Sequence, residues 1–73
     1  MSNQNQLAIN AYTELLNRQP EHMQANFNLG YTLMIEGNYA KAIPYFQKAL
    51  ELKPDYDKIH SYLSRCADEL KTR

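Results

Sequence analysis

The side chains that could act as metal ligands or nucleophiles are few: Cys66, His22 and His60, with Ser61 and Ser64 beside the second histidine. A structural zinc site asks for four closely spaced cysteines and histidines. His60 and Cys66 are six residues apart, which does not place them on one helix face, where neighbours lie three or four apart. Hydroxyl nucleophiles need a base that is itself held by an acid, and Ser61 and Ser64 read as lacking that pair. Gly30 and Gly37 are isolated and cannot form a phosphate-cradling loop. These residues therefore read as structural: Cys66 as a small core hydrophobe, and the histidines as surface or helix-start residues. The chemistry left is recognition. A row of cations, Lys58, Arg65, Lys71 and Arg73, runs beside Tyr62 near the C-terminus. It could touch RNA phosphate, but eight basic against eight acidic residues leave no net charge, so it reads as a solvated polar end. No nucleic-acid partner is expected.

Positioning these residues falls to helices. The chain has 73 residues, 44% of them hydrophobic, which bounds it to one small domain with little room for a deep active-site cavity. Leu7, Ala8, Ala11, Tyr12, Leu15 and Leu16 follow helical spacing, and Pro20 stops that segment. A second helix is predicted from about Met23 to Glu36, with Ala25, Leu29 and Leu33 on one side and Gly37 as a left-handed cap. Asn38 is placed to cap a third helix with the stripe Ala42, Ile43, Phe46, Ala49 and Leu50. Pro44, in its second turn, removes one early hydrogen bond. Pro54 ends it, and Asp55 or Asp57 opens a fourth helix with Ile59, Leu63, Cys66, Ala67 and Leu70 in line. No segment alternates with period two, so the fold class is all-α.

Pro20 and Pro54 lie 34 residues apart, and that shift also pairs Ala8 with Ala42, Ile9 with Ile43, Leu16 with Leu50 and Leu29 with Leu63. Leu29-Gly30, Gly37, Ala42, Phe46, Ala49 and Pro54 stand at the spacing of one tetratricopeptide repeat, and Met23 to Tyr56 closely resembles a complete one. Asn26 and Leu33 are mild departures from the pattern. The resemblance implies an antiparallel helix-turn-helix array of about four helices. Residues 1–20 would be a half-repeat of the second-helix type, 23–56 a whole repeat, and 57–73 a first-type or capping helix, with Ser64 at the glycine position and Ala67 at the aromatic one.

The same resemblance implies a partner-binding face. In the family, set positions of each first helix line a groove for extended peptides. Here they fall on Gln24, Phe27, Tyr31, Met34 and Ile35, then Lys58, Ser61 and Arg65. Spacing alone puts Phe27, Tyr31, Met34 and Ile35 on a different side from Ala25, Leu29 and Leu33, so this helix is apolar on two sides. The second stripe either packs against neighbouring helices or faces a partner, and both readings stay open. The carboxylate clamp of chaperone-binding relatives is not matched, because only Asn28 and Lys58 fit it. Phe27, Tyr31 and Tyr62 stand where it needs polar or basic groups.

The expectation is a protein-interaction module without catalysis and without cofactors, its partner a peptide or protein. Two rivals are self-assembly through the end helices, head-to-tail or domain-swapped, and a designed or trimmed array without a native partner. A monomer with weak self-association at high concentration is expected, with Tyr12 on the open face of the first helix. No signal sequence or membrane span is read, and with a single cysteine the expected location is cytoplasmic.

Overall fold

A computed structural model describes residues 3–72. Four helices follow one another: α1 (Asn3–Arg18), α2 (Met23–Ile35), α3 (Tyr39–Leu52) and α4 (Asp57–Lys71). Among the described residues there is no strand.

The connections are short and each has a local cause. Ahead of Pro20, the Gln19 N–H still donates to the Leu15 carbonyl at 2.8 Å. His22 then caps α2, its Nδ1 accepting from the Ala25 N–H at 3.0 Å. This satisfies one of the donors that every helix start leaves free. At the other end Gly37 adopts φ +81°, which L side chains resist. Asn38 N–H donates to the Leu33 carbonyl at 2.8 Å and Gly37 N–H to Met34 at 2.9 Å. That is a Schellman closure. α3 ends as Lys53 N–H bonds Ala49 at 2.9 Å, just before Pro54.

Neither α3 nor α4 is capped by a side chain. Asn38 holds the cap position of α3, but its side chain makes no capping bond. Its carbonyl accepts from the Ala42 N–H at 3.1 Å instead. α4 opens at Asp57, one of the two positions expected, and the residue before it, Tyr56, is the cap and makes no side-chain bond. Asp57 enters the first turn, where its charge complements the helix dipole.

α2 is the hub. It packs most extensively on α3, also on α1, and lightly on α4, while α3 packs on α4. The molecule is a slab of 35 × 32 × 15 Å. The core joins Leu29, Leu33 and Met34 of α2 to Ala42, Phe46 and Ala49 of α3, and to Ile59 and Cys66 of α4. α1 buries no residue fully. Ile9, Tyr12 and Leu16 nonetheless lean on that core, so Tyr12 is not on an open face. The exposed apolar residue of α1 is Leu7, at 66%. On α4, Ala67 and Leu70 lie outside the core despite their place in the stripe.

Gly30 is the close approach expected at this seam, and its neighbour is a ring. A Cβ there would stand 3.0 Å from Cδ1 of Phe46 and 3.1 Å from Cε1. The missing side chain lets Phe46 lie on the α2 backbone, fully buried.

Candidate partner-binding face

Among the eight residues expected to form the site, the structure makes sharp distinctions. Met34 is 4% exposed and belongs to the core. It supports the face from beneath and offers no contact surface. Phe27 is half-buried and is the centre of an aromatic cluster. Its ring stacks on Tyr56 at 5.2 Å and meets Tyr62 at 5.8 Å, Phe46 at 6.0 Å and Tyr31 at 6.4 Å. Tyr62 in turn stacks on Phe46 at 5.6 Å and stands edge-on to Tyr31, also at 5.6 Å. Such pairs stabilise by about 0.5–1.5 kcal/mol each beyond burial. The second apolar stripe divides: Phe27 and Met34 pack inward, while Tyr31 and Ile35 are 40% and 52% exposed.

The α2–α4 contact brings the other residues to the same place. Tyr62 touches both Phe27 and Tyr31. Lys58 precedes it by four residues and Arg65 follows by three, so both flank it on one side of α4, with Ser61 between them. All three are exposed. Gln24 is exposed at the start of α2, its Nε2 donating to Asn28 Oδ1 at 3.2 Å. α2 carries no charged residue from Met23 to Ile35. The described charge on this face comes from α4 and from Lys53, whose Nζ lies 5.6 Å above the Tyr56 ring.

Sequence reasoning passed over Tyr56, which stacks on Phe27 from the α3–α4 turn; the one available signal was an aromatic two residues after a helix-ending proline. It also treated Asn26 as a mild departure. Asn26 is 4% exposed, and its Nδ2 donates to the carbonyls of Pro20 at 3.2 Å and His22 at 2.9 Å. A large apolar residue would pack there; the amide instead ties α2 to the preceding turn.

Ser64 does have a histidine at helical spacing, contrary to the expectation from sequence. His60 and Ser64 are four apart on α4, with Asp57 three before the histidine, so all three share a helix side. All are exposed and no hydrogen bond links them, so this side holds no activated hydroxyl. Cys66 is fully buried, and burial pushes its thiol above the usual range, with the Arg65 charge pulling partly back. Arg73 of the cationic row lies outside the described residues.

The architecture is that of an all-helical repeat protein. A tetratricopeptide repeat family model matches residues 2–57, and the chain belongs to that family. Its members are generally protein-interaction and scaffold modules. No described helix is long and apolar enough to cross a membrane.

Proposed function

We propose that the chain binds a peptide or protein segment on the α2–α4 face, with Tyr31 and Ile35 as the contact residues and no catalytic step. In this reading residues 23–56 are the whole repeat and α1 and α4 are its flanking halves. The observation that carries it is the pair Tyr31 and Ile35: two large side chains, one helical turn apart, exposed on a charge-free helix, with the Tyr31 ring resting on the packed aromatic cluster. Interface anchors are enriched in tyrosine held rigidly by such neighbours. Gln24 and Ser61 supply polar contacts at the margin, and Lys58 and Arg65 supply charge. The partner is met in the compartment where a lone reduced thiol persists, the cytoplasm.

Peptide display on the purified chain, counter-selected against a Tyr31→Ser/Ile35→Ser variant, tests the reading. Enriched peptides should bind the wild type and lose about tenfold or more on the variant, the scale of truncating an anchor. Peptides that bind both proteins alike, or none at all, would overturn it. The variant alters exposed atoms, so its helical circular dichroism should match the wild type. Phe27 is left unaltered in this test, because Phe27→Ala would remove the centre of the aromatic cluster.

A further inference from the structure

Resting on that reading, we infer that the segment this face accepts is acidic, with two carboxylates about three residues apart flanking an apolar side chain. Two of the described cations already have anionic partners: Arg18 pairs with Glu14 at 3.3 Å, and Lys48 pairs with Glu21 at 2.9 Å and Glu51 at 3.8 Å. Lys58 and Arg65, like Lys41, Lys53 and Lys71, have no ion pair among the described residues, and these two flank Tyr62 on α4 beside the aromatic cluster. They are seven residues apart on α4, two turns, or about 10 Å at 1.5 Å per residue. An extended chain advances about 3.3 Å per residue, so carboxylates three residues apart span that interval. The apolar residue between them falls over Tyr62 and Tyr31, toward Ile35.

The acidic groups nearby set the limits of the motif. Asp55 and Asp57 flank Tyr56 before Lys58, and Asp68 and Glu69 follow Arg65 by three and four residues. A carboxylate moved beyond either cation meets like charge. The face therefore favours a short acidic stretch over Lys58–Arg65 and rejects a long polyacidic run. α2 supplies no opposing charge, so the sign of the recognised segment is decided by α4 together with Lys53, a further cation beside Tyr56.

Three fluorescein-labelled peptides of equal length test this by anisotropy: one with two glutamates three apart around a leucine, one with both glutamates replaced by glutamine, and one with both replaced by lysine. The glutamate peptide should bind roughly threefold to tenfold tighter than the glutamine peptide, the combined effect of two exposed ion pairs. Added salt should erase the difference. A Lys58→Glu/Arg65→Glu variant, altered only at exposed positions, should invert the order and prefer the lysine peptide. Equal affinity for the glutamate and glutamine peptides, a preference that survives charge reversal, or no binding of the glutamate peptide would each overturn the inference. If the glutamine or lysine peptide binds as well and depends on Tyr31, the face stands and only its charge preference falls. If display selection also yields nothing dependent on Tyr31, both fall.

Discussion

A single missing side chain at Gly30 decides how closely α2 and α3 meet. Adding one methyl places it 3.0–3.2 Å from three atoms of the Phe46 ring. Alanine would gain roughly 0.5–1 kcal/mol of helix propensity, but the fully buried Phe46 ring would have to give by a few tenths of an ångström. We expect Gly30→Ala to lose about 1 kcal/mol net and Gly30→Leu to unfold the chain, since overpacking costs about 1–3 kcal/mol or more. Thermal melts check both, and Phe46→Leu should rescue part of the Gly30→Ala loss in a double-mutant cycle. A fully tolerated leucine would contradict the seam. Asn26 is the second such residue. Asn26→Ala removes donors to two carbonyls of the α1–α2 turn, and should cost about 1–2 kcal/mol in urea denaturation. Cys66 adds a pH dependence. Its folded-state thiol titrates above its ordinary value of 9.0, so the unfolded chain loses that proton first. The contribution is intact below that value and falls as pH rises through it. Wild-type stability should therefore decline more steeply on the alkaline side than that of Cys66→Ala, whatever the alanine costs at neutral pH.

At the level of elements, the helices were legible because prolines and a glycine punctuate them, and the stripes Ala25–Leu29–Leu33 and Ala42–Phe46–Ala49 follow their period into the core. The caps were less legible. Whether Asn38 or Tyr56 bonds with its side chain depends on a backbone angle that residue type does not set. The face was half legible, for a geometric reason. Met34 and Ile35 are neighbours about 100° apart on the helix, one 4% and the other 52% exposed, and only the packing of the other helices around α2 separates them. For Phe27 the sequence leaves packing and partner contact open, because nothing in its own helix reveals Tyr56 and Tyr62 converging on it. The α2–α3 turn offers a clean test of what was legible. Gly37 at φ +81° has open space around it, so Gly37→Ala should cost about 1 kcal/mol through backbone strain alone, and Gly37→Asn clearly less. Equal stabilities in urea would mean the left-handed turn is not needed.

For the whole molecule, the ends of the slab matter most. Under the 34-residue register, Ser64 stands where Gly30 stands in the complete repeat, and it is exposed. A following helix with an aromatic at the Phe46 position would meet the Ser64 side chain where Gly30 leaves a notch. This weighs against a head-to-tail assembly of α1 on α4, as does the loss of about 4–15 kcal/mol of freedom on association. Sedimentation should give a monomer at low micromolar protein, and Ser64→Gly should raise self-association at high concentration. Leu7→Lys is the variant that lowers any association through α1, because Tyr12 is engaged with the core. A wild-type dimer at low micromolar concentration would restore the assembly reading. The aromatic cluster has a consequence of another kind. The chain has no tryptophan and six tyrosines, and three of those tyrosines meet at Phe27. Rings held at fixed tilts in a chiral setting couple their transitions, so the near-ultraviolet tyrosine band carries an optical signature of this face. A segment settling on Tyr31, as proposed, would alter that signature directly, which would make the chain a label-free reporter of its own occupancy.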